Sequence, residues 1–311
     1  MTAPAASSGE IVVTGGCGFI GSRLALALLD AGERVRVLDI APPPADLAGR
    51  CAVDRVDIRD AAATSRPLIG ARAIVHCAGA LARLCEDDAD VGWTTNIEGT
   101  VHVLRALRAA TRVVFLSTGG VYDAGDRLPI DEGAPLGTRN LYAASKLAGE
   151  AMVAAAAMRT GASAAVLRLF TVYGPGPASG RRGHFVAGWV ERMVRGEPLL
   201  VHGSGAQTVD ATHVSDVVRA IMLVLTAPLP AGASRTYNIG SGRETSVVEV
   251  ASCLRAVAPR VEVQHVPAPR ASPTRQLASI ARARAELGYE PAIEPRAGIV
   301  AFARAALDGI P

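Results

Sequence analysis

Ile11-Val12-Val13 is a short unbroken apolar run, the pattern of a strand covered on both faces. A glycine-dense turn follows from Thr14 to Gly21, and apolar residues then recur at helical spacing through Arg23–Leu29 until Gly32 stops them. Arg34–Asp39 reads as a second strand, which completes a strand-helix-strand unit. Further apolar runs at 53–58, 73–77, 112–117 and 164–170 predict four more strands, and helical spacing at 100–110 and 142–158 predicts helices between them. Residues 119–139 carry Gly, Pro and Asp at loop frequency and predict a surface excursion. After Pro175 the expected elements shorten: helices at 185–195, 216–225 and 246–257, strands at 199–201 and 237–240, and a last helical region starting at 282–287.

Strands alternating with helices predict the α/β class, with a doubly wound parallel (Rossmann) sheet over residues 1–175. Residues 176–311 are expected to form a smaller C-terminal α/β substrate-binding portion, some of whose segments return to the main sheet. Gly176–Gly183 reads as a mobile lid.

The turn after the first strand carries Gly15, Gly18 and Gly21, and Asp39 lies 18 residues beyond the last of them. Glycines at such positions allow a tight turn, close approach of backbone to a pyrophosphate, and close packing of helix on strand. The diphosphate then rests on the helix N-terminus. A carboxylate ending the second strand accepts hydrogen bonds from ribose hydroxyls and repels a 2′-phosphate, so the pattern favours NAD over NADP. Ligands bind at the carboxyl ends of parallel strands, which places Asp57, Ile58, Ala78 and Gly79 at the adenine and ribose edge.

Composition changes this picture little, with one exception. The chain has 311 residues, 50% hydrophobic but only 4% aromatic, so its core must be aliphatic and rich in alanine. Net charge +3 is too small to imply nucleic acid or an anionic membrane. Five cysteines are scattered without metal-type pairing, so no metal is expected. No signal-peptide pattern opens the chain and no apolar run has membrane-spanning length, so a cytoplasmic location is expected. The exception is the basic residues: of 32, 31 are arginine and one is lysine. That lysine, Lys146, stands four residues after Tyr142. On a helix this spacing puts phenol and ammonium on one face, where the cation is expected to lower the phenol pKa and make Tyr142 a general acid or base.

Together these residues resemble the extended short-chain dehydrogenase/reductase family, and within it the NAD-dependent nucleotide-sugar epimerases and dehydratases. The resemblance rests on Thr14–Gly21, Asp39, Asp57-Ile58, His76–Gly79, Asn96, Ser117-Thr118, Tyr142 with Lys146, Arg168–Pro175 and Leu287–Pro291. It implies Thr118, Tyr142 and Lys146 as the catalytic set. It also implies a cofactor site of Gly15, Gly18, Phe19, Ile20, Gly21, Asp39, Ile40, Asp57, Ile58, Cys77, Ala78, Gly79, Asn96, Ser117, Tyr142, Lys146, Phe170 and Val172.

Substrate contacts are expected from Thr118, Gly119, Gly120, Thr171, Arg181, Arg182 and Arg270. Three departures from the family pattern matter. Gly119-Gly120 stands where family dehydratases place Asp-Glu, which disfavours loss of water. Thr171 replaces a usual asparagine, and Val209 replaces an arginine that grips the nucleotide diphosphate. Arg270 sits where a second diphosphate arginine is expected, and Arg181-Arg182 is either a phosphate clamp or a solvated basic loop.

The resemblance implies a nucleotide-sugar 4-epimerase acting by transient oxidation. The same residues also serve an NAD-dependent dehydrogenase or ketoreductase of a sugar or another secondary alcohol. A non-catalytic dinucleotide sensor is the third reading, and the lysine kept at the catalytic spacing argues against it. The alanine-rich helix after Tyr142 and the family's habit imply a homodimer.

Overall fold

The structure is a computed structural model that describes residues 9–123, 125, 127–177, 185–267 and 275–309. Its first half runs β1 (Ile11–Thr14), α1 (Phe19–Asp30), β2 (Val35–Asp39), β3 (Ala52–Arg55), α2 (Ala61–Leu68), β4 (Ala73–His76), α3 (Ala82–Asp87) and α4 (Ala89–Val91). A π-helical segment, Gly92–Glu98, leads into α5 (Gly99–Leu104), followed by β5 (Arg112–Thr118), α6 (Leu141–Thr160) and β6 (Ser163–Leu169). The remainder is β7 (Thr171–Tyr173), α7 (Phe185–Val194), β8 (Leu199–His202), β9 (Thr208–His213), α8 (Val214–Thr226), β10 (Ser234–Ile239), β11 (Glu244–Ser246), α9 (Val247–Val257), β12 (Val263–Val266), α10 (Ala281–Leu287) and α11 (Pro295–Leu307).

Seven strands form the main sheet in the order β10-β6-β5-β4-β1-β2-β3. The pairs β1–β2, β1–β4, β2–β3 and β4–β5 are parallel, with Thr14 beside both Leu38 and His76. The strand order reverses between β1 and β4, so the carboxyl ends of these two strands open the crevice where such sheets bind ligands. Both strands are buried throughout, which is why their sequences are continuous apolar runs rather than alternating ones.

The chain divides into two compact units. The first takes the chain up to Val121 with Gly137–Leu167 and Ile221–Thr236; the second takes Tyr122–Leu136, Arg168–Ala220 and the chain from Tyr237 on. Relative to a single cut at Pro175, the second unit therefore also holds 122–136 and 168–175, and the first also holds 221–236. The core of the first unit is aliphatic apart from Phe115, as the scarcity of aromatics requires. In the second unit a three-stranded sheet, β11-β9-β7, and a β12–β8 pair surround a core that includes Tyr173, Trp189, Leu199, Ile299 and Phe302.

α6 starts at Asn140, whose side chain accepts from the Ala143 amide at 2.8 Å, and ends at Gly161 in the left-handed conformation with φ 75°. It lies close on β5 at Gly149, where an added Cβ would collide with the Phe115 ring. The expected strand 53–58 is shorter than read. β3 ends at Arg55, because Asp57 turns the chain toward α2, whose first amides are capped by Asp60. The lid expected at Gly176–Gly183 falls mostly outside the described residues. Among those residues no helix is long and apolar enough to cross a membrane.

Candidate active site

All of the catalytic residues expected from the sequence, and most of the cofactor residues, lie in the first unit. The turn after β1 crosses directly over the end of β4. A Cβ at Gly15, which has φ +66°, would lie 2.6 Å from the Ala78 nitrogen, and a Cβ at Gly21 would collide with the Gly15 carbonyl oxygen. Only glycine fits at either place, so the backbone is free to approach a phosphate. Gly18 precedes α1 in an extended conformation, and no acidic side chain occupies the first turn of that helix. Phe19 and Ile20 are partly buried in this first turn. The exposed amides and the positive end of the helix dipole therefore face the turn, as a diphosphate requires.

Asp39 is fixed by two backbone donors: Cys17 N–H to Oδ2 at 2.8 Å and Ala41 N–H to Oδ1 at 2.9 Å. Each carboxylate oxygen keeps a further lone pair, so Asp39 can still accept from ribose hydroxyls. These residues fit a dinucleotide with a free 2′-hydroxyl. Ile40, next along the chain, is largely exposed. Asp57 is held by a forked pair to Arg59 and by the Arg59 amide, and the guanidinium keeps its carboxyl below the usual range. Ile58 is buried in the core, and a Cβ at Gly99 would lie 2.6 Å from it. Its carbonyl oxygen lies 2.9 Å from His102 Nδ1, so its side chain serves packing.

At the end of β4, His76 lies between Thr14 Oγ1 at 2.7 Å and Thr100 Oγ1 at 3.0 Å, and burial followed by the Lys146 charge holds its pKa down to about 3. Cys77 is next, its thiol pushed up to about 12 by burial. Gly79 is packed against Asn96 and Lys146, because a Cβ there would lie 3.1 Å from Asn96 Oδ1 and 3.3 Å from Lys146 Nζ. Asn96 braces this turn. Its Oδ1 accepts from Ala80 N–H at 2.7 Å, and its Nδ2 donates to Ala80 O at 3.0 Å and to Ser145 Oγ at 2.9 Å. The residue sits in the π-helical segment, a local geometry frequent at functional sites.

The structure brings Thr118, Tyr142 and Lys146 together. Thr118 ends β5, its hydroxyl acts on the Tyr142 phenol in the direction of ionisation, and its Oγ1 accepts from Gly120 N–H at 3.0 Å. Gly119 and Gly120 follow in a single 3₁₀ turn. Lys146 is buried; its Nζ donates to Leu116 O at 2.9 Å and lies 4.9 Å from the Phe115 ring centre and 5.9 Å from that of Tyr142.

The expected lowering of the phenol is not what this geometry produces. Tyr142 is pushed up to about 12, by burial first and then Cys85, with the Thr118 hydroxyl opposing. The ammonium is drawn to Leu116 O and the Phe115 face, and desolvation of the phenolate outweighs it. Lys146 is itself pushed down to about 8 by burial, against Cys77, Cys85 and Glu150.

Ser117 is buried and its hydroxyl donates to Glu150 Oε1 at 2.5 Å. Glu150 and Ser145 were not singled out in the sequence; their spacing from Lys146 and Tyr142 on one helix was the available signal.

In the second unit, Phe170 is buried against the Tyr122 ring at 6.3 Å between centres, and its amide donates to Ile239 O at 3.0 Å. Thr171 is buried and Val172 partly so on β7, paired with Ala211 and Thr212 of β9. Val209 is buried in that unit's core opposite Thr245. Arg181, Arg182 and Arg270 lie outside the described residues.

Over 96% of its length the chain is 34% identical to the UDP-glucose 4-epimerase of Azospirillum brasilense, 92% of which is covered. It is 29% identical, over 82% of its length, to 83% of a UDP-N-acetyl-alpha-D-glucosaminuronate decarboxylase of Bacillus cytotoxicus. The structure of MoeE5 in complex with UDP-glucuronic acid and NAD superposes with a TM-score of 0.87 at 29% identity, covering 97% of this chain and all of that one. Residues 11–240 match the pattern of the NAD dependent epimerase/dehydratase family, and the chain is an NAD-dependent member of that family.

Proposed function

We propose that this enzyme is an epimerase of a nucleotide-activated sugar, acting at carbon 4 by transient oxidation of a hydroxyl to a keto group. The observation that carries the reading is the surroundings of Thr118. The Tyr142 phenol lies within its electrostatic reach, and Gly119-Gly120 adds no acid or base beside it. A site with one proton-transfer side chain suits removal and return of a single hydroxyl proton. Elimination of water needs a second acid-base group.

In this reading the Tyr142 phenol exchanges the hydroxyl proton. Thr118 hydrogen-bonds the same oxygen and sets its direction. Lys146, held by Leu116 O, offers its ammonium to the ribose of the cofactor and to the developing phenolate, where opposite charge stabilises the ionised form. Gly15, Gly18 and Gly21 with the α1 amides would hold the diphosphate of NAD, and Asp39 its adenosine ribose. NAD, when bound, would supply the hydride acceptor and donor that a transient oxidation needs.

The UDP-sugar relatives support a nucleotide sugar as substrate. The alternative is a dehydrogenase or ketoreductase that exchanges its cofactor at each turnover, and Val209 favours it. An apolar side chain buried in the core of the second unit gives no charge to a diphosphate. To separate the two, the purified protein is denatured, its released nucleotide measured, and UDP-glucose and UDP-glucuronate are incubated with it without added reductant. Near-stoichiometric NAD with formation of the C4 epimer supports the epimerase. An empty protein that converts neither sugar until NAD is added, and then accumulates NADH, overturns it.

A further inference from the structure

Lys146 and Glu150 are four residues apart on α6 and share a face of that helix. Both reach the end of β5, at consecutive residues. Lys146 Nζ donates to the Leu116 carbonyl oxygen at 2.9 Å, and the buried Ser117 hydroxyl donates to Glu150 Oε1 at 2.5 Å. A helix carboxylate with no inward task would extend into water. This one is tied to a strand hydroxyl adjacent to the catalytic threonine. We propose that Glu150 is a positioning residue whose charge, tethered by Ser117, keeps Lys146 an ammonium under working conditions.

The surroundings of Lys146 explain why such a charge is needed. From β5 it meets the Phe115 ring and the Leu116 carbonyl oxygen, and from its own helix the Tyr142 ring. From β4 and the turn after it come His76, which is neutral because burial holds it to about 3, and the thiol of Cys77. From α3 comes the thiol of Cys85. Burial pushes both thiols up, Cys77 to about 12, so neither carries charge where the lysine titrates. Glu150 is the carboxylate among the groups that act on Lys146, and it opposes the burial that drives the ammonium toward neutrality. A neutral amine at this place would neither favour phenolate nor donate as strongly to a ribose.

The catalytic consequence rests on the role proposed above for Lys146, but the charge effect can be read without it. The chain contains one lysine, so uniform labelling with ε-13C lysine gives one side-chain signal, and its titration reports Lys146 in the full-length protein without substrate. In Glu150→Gln the midpoint should fall by about one pH unit, a tenfold loss of proton affinity. Ser117→Ala should lower it by less, because the charge remains but is no longer tethered. A folded Glu150→Gln protein with an unchanged midpoint overturns the proposal. If Glu150→Gln fails to fold, an unchanged midpoint in Ser117→Ala does so. In turnover, the alkaline limb of the pH profile should move down by the same interval in Glu150→Gln, a loss of roughly threefold near pH 7.5. A uniform loss at every pH with that limb in place marks a merely structural role and also overturns it. The lysine shift without any epimerisation sustains the charge assignment and sinks the proposed function alone.

Discussion

Replacing Lys146 with methionine should stabilise the fold while removing catalysis. The ammonium is buried on a helix packed against β5, and burial lowers its pKa from 10.5 to about 8. At about 1.4 kcal/mol per pH unit, that fall corresponds to about 3 kcal/mol of native-state cost for the charged form. Methionine fills a similar volume with apolar atoms, but leaves Leu116 O without its donor, which takes back about 1–2 kcal/mol. A net gain of about 1–2 kcal/mol raises the melting temperature by about 1.5–3 °C in a chain of this size. The pH dependence makes the test specific. The folded-state pKa is depressed, so the unfolded chain binds more protons between pH 8 and 10.5, and wild-type stability rises with pH across that window. Below pH 8 the cost is fully present. The advantage of Lys146→Met should therefore be largest near pH 7 and shrink toward pH 10. Thermal unfolding followed by circular dichroism at both pH values measures it. A variant that melts below wild type at pH 7, or a gap of the same size at both pH values, refutes the reasoning.

Lys146→Arg should stay folded and lose roughly a hundredfold or more in turnover, because a flat, forked guanidinium does not replace a compact ammonium beside the phenol; near wild-type turnover at pH 7 would remove Lys146 from the catalytic set. Tyr142→Phe should be inactive at every pH, since no exchangeable proton remains; measurable epimerisation by the folded variant contradicts this. NAD should bind at least tenfold more tightly than NADP, because the Asp39 carboxylate, already fixed by the Cys17 and Ala41 amides, faces a 2′-phosphate with like charge; equal dissociation constants in a titration would sink it, and Asp39→Ala should narrow the ratio. A homodimer is expected through the alanine-rich α6, where Met158 is 77% exposed; light scattering that gives a 32.0 kDa particle at micromolar concentration counts against it.

Local pattern alone determined much of this protein. The apolar runs of β1 and β4, the glycines of the turn, the acid ending β2 and the Tyr142–Lys146 spacing are each set by a few adjacent residues. Their geometry follows from backbone sterics and the two periodicities of helix and strand. The short strands β7, β9, β11 and β12 were not legible, because unlike the apolar runs of β1 and β4 they mix polar with apolar residues, or in β11 are polar throughout, over three to six positions, too few for either periodicity to stand out before their partners are known. The chain leaves and re-enters each unit at several points for the same reason: contacts between distant segments decide it.

Electrostatics depended most on tertiary structure. Spacing put an ammonium near a phenol and implied a lowered pKa. Burial, set by β5, α3 and the π-helical segment packing around α6, reversed the direction for Tyr142 and lowered Lys146 as well. Ile58 went to the core because Gly99 leaves room for it, and Asp57 was taken up by Arg59. Sequence showed which groups could titrate or donate. Desolvation and the partner each group found, both properties of the packed chain, decided what they do.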